Sequence, residues 1–342
     1  MAKNTIKLPF VSLCTPTFNR RPFIPYLIKC IQQQTYSAEN MEWIIVDDGT
    51  DKIEDLVSHI PFVKYYKYDT KMTLGEKRNL MHTKATGDIL VYIDDDDYYP
   101  PERVSHAVET LTNNRNVLIC GSSKMHVYFK HIQQMYTCGP YGENHATAAT
   151  FAFKRELLNN TTYDVSSCLG EEKLFLKNYS IPLAQLDPAK TILVFSHIHN
   201  SFDKKELLKE TSKYIVKSSD KVEDIVKDNE IRNFILHDID KILEAYKPGD
   251  PSNKKDVEMY MNIVKNAREE STMRLKKHHE DFQRQANVQF ESLKQLHEKN
   301  TKELVDTNKK LKESNQYLET KISKFIKDLV ECKKEIRVLK EQ

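Results

Sequence analysis

Between Pro9 and about Asp187 the sequence alternates short β-rich runs with helical stretches. Such alternation predicts a largely parallel sheet whose strands are joined by crossover helices. The β-rich runs predict strands at 11–14, 42–46, 63–68, 89–93 and 117–120. Apolar residues near a 3.6-residue period predict helices at 22–34, 74–84 and 101–111. This half of the chain is therefore predicted to be a doubly wound α/β domain.

The composition changes after His199, where Gly becomes rare and Lys and Glu become frequent. Apolar residues recur at helical spacing at Ile235, Ile239, Ile242 and Leu243. The following segment, 247–253, reads Lys-Pro-Gly-Asp-Pro-Ser-Asn and has the composition of a helix break and a linker. We therefore expect an α/β catalytic domain at 1–205, a helical region at 206–250 and a long helix with a coiled coil at 251–342.

The end of the chain carries a heptad repeat. Its a and d positions are Leu304, Asn308, Leu311, Asn315, Leu318, Ile322, Phe325, Leu329, Cys332, Ile336 and Leu339. Asn at two a positions favours a dimer in fixed register, and oppositely charged g and e residues suit parallel helices. The repeat therefore predicts a homodimeric coiled coil, with a single solvated helix as the alternative.

Composition excludes several classes of protein. With 52 Lys and Arg against 50 Asp and Glu, the net charge of +2 gives no field for nucleic acid or an anionic membrane. No apolar run approaches the roughly 18 residues of a membrane span, and residues 1–4 run into a strand-like segment and do not resemble a signal peptide. The six cysteines show no CxxC spacing, which predicts reduced thiols. A cytoplasmic protein without a nucleic-acid partner is expected.

Polar clusters follow three of the predicted strands, at 15–20, 47–50 and 94–97. In open α/β sheets, ligands bind beyond the carboxyl ends of the strands. The clusters are therefore expected to converge on one edge of the sheet.

The cluster at 94–97 consists of four consecutive aspartates after an apolar strand. Adjacent carboxylates repel each other unless a cation or protons neutralise them. Because side chains alternate along an extended chain, Asp94 and Asp96 are expected to share a face and to address one ion. Carboxylate oxygens favour Mg²⁺ or Mn²⁺, with substrate phosphates completing the shell. The alternative for an acidic run is a solvated loop.

Taken in order, these segments resemble the signatures of family 2 glycosyltransferases with the GT-A fold. They are Val11-Ser-Leu-Cys-Thr-Pro-Thr-Phe-Asn-Arg20, Glu42-Trp-Ile-Ile-Val-Asp-Asp-Gly-Thr50, Lys77-Arg-Asn79, Thr86-Gly-Asp-Ile-Leu-Val-Tyr-Ile-Asp-Asp-Asp-Asp97 and Pro101-Glu102. The resemblance covers roughly the first 200 residues. It implies an α/β, Rossmann-like mixed sheet followed by an all-α tail, and a nucleotide-sugar donor that usually carries UDP.

The resemblance also implies roles for single residues. The nucleotide-sugar would be bound by Thr15, Pro16, Thr17, Asn19, Arg20, Asp47, Asp48, Arg78, Asp94 and Asp95. Within that set, Asp47 or Asp48 would meet the uracil, Arg78 the ribose or phosphates and Asp95 the ribose, while Asp96 would be the best metal ligand. For the aspartate pair the alternative is a strand-terminating Asp-Gly turn, and for the arginines it is a surface ion pair.

The resemblance places the general base in the segment Leu169-Gly-Glu-Glu-Lys-Leu-Phe175. Glu172 stands at the position of the base and Glu171 precedes it, although Glu replaces the family's usual Asp. That difference leaves the choice between the two open. A pair of glutamates opening a helix is also what the helix dipole favours.

Two histidines follow the strand-like segment 191–195. His197 and His199 should lie on one side if the chain stays extended. The resemblance favours His199 as the residue that completes the metal site with Asp94 and Asp96, although a histidine beside a strand is often only hydrogen-bonded.

Together these features predict metal-dependent transfer of a sugar to an acceptor hydroxyl, and the resemblance implies inversion at the anomeric carbon. The acceptor is expected to be a glycan, a protein or a small molecule, because no QxxRW segment of a processive synthase occurs. Two alternatives are an inert GT-A scaffold that acts through its coiled coil and an enzyme related to sugar-nucleotide pyrophosphorylases.

Overall fold

The computed structural model describes residues 8–209 and 212–340. The strand-like segment expected near the N-terminus falls partly on residues 1–7, outside the described part. The chain divides into two compact units, with the boundary between Ile263 and Val264.

The first unit contains a mixed sheet of seven strands in the order β3-β2-β1-β4-β8-β5-β9. These strands are β1 Val11–Thr17, β2 Met41–Asp47, β3 Val63–Lys67, β4 Ile89–Tyr92, β5 Ile119–Gly121, β8 Ala152–Lys154 and β9 Leu183–Gln185. Strands β1 to β4 pair in parallel, and β8 is antiparallel to β4 and β5. Every residue of β1, β2 and β4 is buried, as expected where helices or loops cover both faces of a sheet. The predicted mixed α/β fold is confirmed.

The helices of the first unit flank this sheet and extend beyond it. They are α1 Ile24–Gln32, α2 Glu54–Val57, α3 Leu74–Lys84, α4 Arg103–Asn113, α5 Glu172–Phe175, α6 Val222–Ile225, α7 Asn229–Asn233 and α8 Ile239–Ala245, and α9 Lys255–Lys340 begins in this unit. Helix α3 has the predicted bounds because Thr73 and Glu76 form a capping box at its start. The helix expected at 22–34 instead starts with a 3₁₀ turn, Arg21–Phe23.

A second sheet of four strands, in the order β10-β6-β7-β11, was not predicted. Its strands are β6 Met125–Phe129, β7 Gln134–Cys138, β10 Leu193–Phe195 and β11 Ile215–Lys217. The hairpin β6–β7 lies in the region 124–145, which the sequence did not explain. Its turn uses Gln133 at φ 49°, so the glycine that usually marks such a turn is absent.

The segment 247–253 breaks the helical pattern as predicted, but it is not a free linker. It forms two 3₁₀ turns, Lys247–Gly249 and Pro251–Asn253. Asn19 Nδ2 donates to the carbonyl oxygen of Pro248 at 2.9 Å, although the two residues are 229 positions apart. A Cβ at Gly249 would lie 2.8 Å from the Asn19 carbonyl oxygen, so only glycine allows this approach. The segment is thus packed against the α/β domain.

In the second unit the chain continues as helix α9. The apolar heptad residues of this unit are exposed, for example Leu311 at 57%, Leu318 at 50% and Phe325 at 65%. Within residues 8–209 and 212–340, no helix combines the length and the apolar character that crossing a membrane requires.

Candidate active site

The strands β1, β2 and β4 end at one edge of the seven-stranded sheet. Thr17 is in register with Asp47, and Cys14 with Tyr92. The polar clusters that follow these strands therefore meet, as predicted. Residues of the clusters at 15–20 and 94–97 line a cleft with a cavity of about 140 Å³. Its walls include Pro16, Phe18, Arg20, Lys71, Met72, Lys77, Asp94, Asp95, Asp96, Cys168, Leu169, Ser201, Lys254 and Asp256.

Arg20 neutralises two of the four aspartates. Its guanidinium lies 3.5 Å from Asp95 and 3.2 Å from Asp96, and Nη1 donates to the His199 carbonyl oxygen at 2.7 Å. Burial raises the pKa of Asp95 to about 7, although Arg20 opposes the shift. At Asp96 burial also opposes ionisation, but Arg20 and His197 hold the pKa well below its usual value. The stable anion of the cluster is therefore Asp96.

Of the two candidate histidines, the structure brings His197 to the acidic cluster. Its Nε2 lies 3.2 Å from Asp96 Oδ2, while its Nδ1 accepts from the backbone N–H of His199 at 3.2 Å. The ring of His199 instead lies beside Gly249. The alternation argument does not apply here because β10 ends at Phe195 and residues 198–199 form a turn. Burial lowers the pKa of His197 to about 3, so its imidazole is neutral at pH 7.

Arg78 connects the aspartate cluster to the glutamate pair. It is 1% exposed, its Nε lies 2.8 Å from Glu171 Oε1, and its Nη2 lies 3.5 Å from Asp94. Its guanidinium carbon stands 4.4 Å from the ring centre of Tyr92. Motifs separated by 93 residues in the chain are thus joined by one buried ion pair.

Glu172 has a different environment from Glu171. Among the described residues no cation lies within 4 Å of its carboxylate, whereas Glu171 is paired with Arg78. Glu172 lines a second cavity of about 370 Å³, whose walls are mostly apolar and include Tyr141, Phe202 and Lys204. Burial, reinforced by the neighbouring Glu171, raises the pKa of Glu172 to about 7. Such a carboxylate can accept a proton near neutral pH.

The aspartate pair after β2 is largely occupied by the protein itself. Asp47 accepts hydrogen bonds from the N–H of Gly49 and the hydroxyl of Tyr65, as a strand-terminating turn would. Asp48 pairs with Lys77 at 2.5 Å and accepts from the N–H of Met72 at 2.6 Å. Both side chains therefore hold the loops of this edge in place.

Of the residues at 15–20 that were predicted to bind the nucleotide, some line the cleft and others contact the protein itself. Pro16 and Arg20 line the cleft. Thr15 instead accepts from the indole N–H of Trp43, and Asn19 binds the segment after α8. The carbonyl oxygen of Thr17 accepts from Lys77 Nζ at 3.2 Å. Of this cluster, Pro16 and Arg20 are thus the predicted residues that reach the cleft.

The acidic cluster suits a divalent cation in its chemistry. No group of three or more His, Cys, Asp or Glu side chains within the described ranges is already arranged around one point. Asp94 Oδ1 is nevertheless buried and accepts no hydrogen bond from any described residue. The carboxylates of Asp94 and Asp96 are the ligand type that Mg²⁺ and Mn²⁺ favour, and the neutral imidazole of His197 is a common metal ligand in proteins.

Several cleft residues were not predicted from the sequence. Lys71 precedes helix α3, and Lys77 lies near its start. Lys254 and Asp256 lie at the start of α9. Lys77 was visible within the signature Lys77-Arg-Asn79. For Lys254 the sequence gave no signal, because the surrounding composition is typical of a linker.

Comparison with known proteins places these features in a family. The family described as "Glycosyl transferase family 2" matches residues 12–177. An uncharacterized glycosyltransferase of Haemophilus influenzae is 32% identical over 108 residues, which cover 31% of this chain and 36% of that protein. The putative colanic acid biosynthesis glycosyl transferase WcaA of Escherichia coli is 34% identical over 102 residues, 28% of this chain and 36% of its own length. The chain thus spans about a third of the length of these relatives.

Among solved structures, the mannosyltransferase PcManGT of Pyrobaculum calidifontis, in complex with GDP-Man and Mn²⁺, is 18% identical. The alignment has a TM-score of 0.44 and covers 55% of this chain and 57% of that one. The match over residues 12–177 includes every signature segment from the first strand to the glutamate pair. Residues 12–177 are therefore the part of the chain that is similar to glycosyl transferase family 2.

Proposed function

We propose that this protein transfers a sugar from a nucleotide-diphosphate donor, a UDP-sugar, to an acceptor hydroxyl with inversion of the anomeric carbon. The observation that carries the proposal is the contact between distant signatures at one sheet edge. Arg20 meets Asp96 at 3.2 Å, and Arg78 meets Glu171 at 2.8 Å. Such an arrangement puts a cation-rich cleft for a diphosphate beside a carboxylate that can act as a base.

The donor is assigned to the cleft that contains Arg20 and the aspartates. Arg20, Lys71 and Lys77 line it, and cationic side chains are suited to phosphate recognition. Phe18 offers an aromatic face in the same cleft. The match of residues 12–177 to glycosyl transferase family 2 supports a nucleotide-sugar donor, and UDP is the donor nucleotide that the signatures imply.

A divalent metal, Mn²⁺ or Mg²⁺, is part of the proposal. Asp96 and Asp94 would hold it, and His197 is better placed than His199 to assist. When bound, such an ion acts as a Lewis acid that offsets the charge on a leaving diphosphate. Arg20 holds the carboxylates of Asp95 and Asp96 close together at the end of β4.

The acceptor is assigned to the cavity of about 370 Å³ beside Glu172. Glu172 is the proposed general base because none of the described residues is its cationic partner and its raised pKa suits proton transfer near pH 7. Glu171 is instead held by Arg78. The mostly apolar walls favour an acceptor that presents an apolar face or group next to its hydroxyl.

Hydrolysis of a panel of nucleotide-sugars by the full chain tests this function, with Mn²⁺ and with a chelator. We expect metal-dependent release of UDP from one donor. Asp96→Ala should reduce the rate at least about 100-fold, the order of loss when one charge-stabilising group is removed. Asp69→Ala removes an exposed aspartate outside the cleft and should leave the rate unchanged. Absence of turnover and of nucleotide binding in the unaltered protein would reject the proposal.

We further propose that two copies of the chain associate through a parallel coiled coil formed by helix α9. The exposed apolar residues of the second unit support this pairing, because such a stripe is normally covered by a partner helix. Asn308 and Asn315 at a positions suit two strands in one register. Cys332 would occupy a d position, where the two copies of the residue lie close together in a parallel pair.

The molar mass of the full chain in solution tests the coiled coil. We expect a dimer, and Leu311→Lys combined with Leu318→Lys should give a monomer because both changes place charges in the apolar seam. Val330→Lys with Val338→Lys adds the same charges at exposed b and c positions and should stay dimeric. Mild oxidation should link two chains through Cys332, the exposed cysteine of the six. A monomeric unaltered chain would refute the dimer, and a dimer that resists cross-linking would refute the parallel register.

A further inference from the structure

The start of helix α9 forms part of the donor cleft, although it lies well beyond the residues that match the family. Lys254, Asp256 and Val257 line the same cavity as Arg20 and the aspartates. The family match ends at residue 177. This wall of the cleft therefore lies outside the segment that matches the family.

Lys254 differs from the other cations of the cleft because its ammonium is buried and forms no ion pair with any carboxylate in the described part of the chain. The residue is 8% exposed, and its Nζ donates to Ser201 Oγ at 2.6 Å. Within the described residues no acidic oxygen lies within 4 Å of this nitrogen. The other cations of the cleft are paired: Lys71 with Asp256 at 2.5 Å, Lys77 with Asp48 at 2.5 Å, and Arg20 with Asp95 and Asp96.

A buried ammonium with one neutral hydrogen-bond partner is unfavourable unless an anion accompanies it. Burial, with Arg20 adding repulsion, lowers the pKa of Lys254 to about 7. An anionic ligand beside Nζ would restore full protonation. Asp95 and Asp96 partly offset this shift in pKa, but among the described residues neither carboxylate contacts the ammonium directly, which leaves room for an anionic ligand beside Nζ.

The backbone around Lys254 is held in place by the α/β domain. Asn19 binds the carbonyl oxygen of Pro248 at 2.9 Å, and the hydroxyl of Tyr246 donates to Asp51 at 2.8 Å. Lys71 pairs with Asp256 on the other side of Lys254. A lysine positioned in this way can bind a phosphate without a large loss of conformational freedom.

We propose that Lys254 binds the diphosphate of the nucleotide-sugar, so that the extension after the family domain supplies a donor-binding residue. This inference rests on the proposed transferase function. Lysine binds phosphates as a compact point charge with three donors. Ser201 then acts as a positioning residue, since its hydroxyl directs Nζ into the cleft.

Calorimetric titration of the full chain with UDP and GDP, and with uridine and guanosine, tests the assignment. Lys254→Met should weaken binding of the preferred diphosphate by about 10- to 100-fold, the cost of losing a hydrogen bond from a charged donor. Binding of the free nucleoside should not change. Lys254→Arg should retain part of the affinity. Lys255→Met removes a neighbouring exposed lysine and should bind like the unaltered chain.

The outcomes separate the inference from the function on which it rests. If the unaltered chain binds no nucleoside diphosphate, the proposed donor is wrong and the role of Lys254 is wrong with it. If the chain binds a diphosphate and Lys254→Met binds it equally well, the inference alone is refuted. An equal loss for nucleoside and diphosphate would indicate a purely structural residue and also refute it. Lys254→Gln removes the charge but keeps a hydrogen-bond donor, and it replaces the Met variant in each comparison if that variant does not fold.

Discussion

Replacing Glu172 with Gln is expected to slow sugar transfer by about 100- to 10,000-fold, the contribution that general base catalysis usually makes. The amide has nearly the size of the carboxylate but cannot accept the acceptor's proton. Donor affinity should stay the same, because the nucleotide is assigned to a different cavity. The measurement is transfer rate and UDP affinity for both proteins.

The dependence of the rate on pH gives this prediction a second readout. With a pKa of about 7, Glu172 is about one tenth ionised at pH 6 and about nine tenths ionised at pH 8. The transfer rate should therefore rise with pH across this interval and then level off. Glu172→Gln should lose this rise along with most of the rate.

The free energy of unfolding should change with pH in the opposite direction to the transfer rate. Because the folded pKa of Glu172 exceeds the ordinary glutamate value of 4.5, the folded protein binds more protons than the unfolded chain between pH 4.5 and about 7. Its contribution to stability therefore falls as pH rises through that interval. Glu172→Gln should unfold at a higher temperature than the unaltered chain at pH 8 and show no such gain at pH 4.

Glu156→Gln is the matched control, since it changes an exposed glutamate that lines neither of the two cavities. It should leave rate and pH profile unchanged. A Glu172→Gln protein that keeps more than a tenth of the rate would exclude Glu172 as the base. If Glu171→Gln folded normally and lost more activity than Glu172→Gln, the base would be Glu171.

Sequence patterns predicted the part of the fold that depends on local periodicity. The strands β1, β2 and β4 are buried apolar runs, and α3 begins at a capping box, so both signals are contained in a few consecutive residues. The convergence of the polar clusters also followed, because the carboxyl ends of parallel strands meet at one edge. These signals were sufficient for the α/β fold and for the acidic edge.

The same patterns could not predict features that depend on distant contacts. The segment 247–253 has a linker's composition, yet Asn19 and Gly249 fix it to the domain. His197 reaches Asp96 because the chain turns after β10, which alternation along a strand does not anticipate. The sequence also could not show which of the two glutamates lacks an ion pair, because this depends on the contact between Arg78 and Glu171.

Replacing Arg78 with Met is expected to lower the free energy of unfolding by about 3 to 5 kcal/mol, the usual cost of removing one partner of a buried ion pair. The change leaves Glu171, 5% exposed, without its cation, and it also removes the positive charge beside Asp94. The rings of Tyr92 and Tyr163, both buried, lose a guanidinium whose carbon lies 4.4 Å and 5.8 Å from their centres.

Urea unfolding followed by tryptophan fluorescence measures this loss. The signal reports on the first compact unit, which contains Arg78, because the single tryptophan, Trp43, is fully buried in β2. Lys84→Met, on the same helix, removes a half-buried lysine that contacts the ring of Tyr66 and has no ion pair among the described residues, and it should change the unfolding midpoint little. Adding Glu171→Leu to Arg78→Met should recover part of the loss, since it removes the unpaired carboxylate. A loss below about 1 kcal/mol for Arg78→Met, the range of exposed ion pairs, would mean that this pair does not hold the site together.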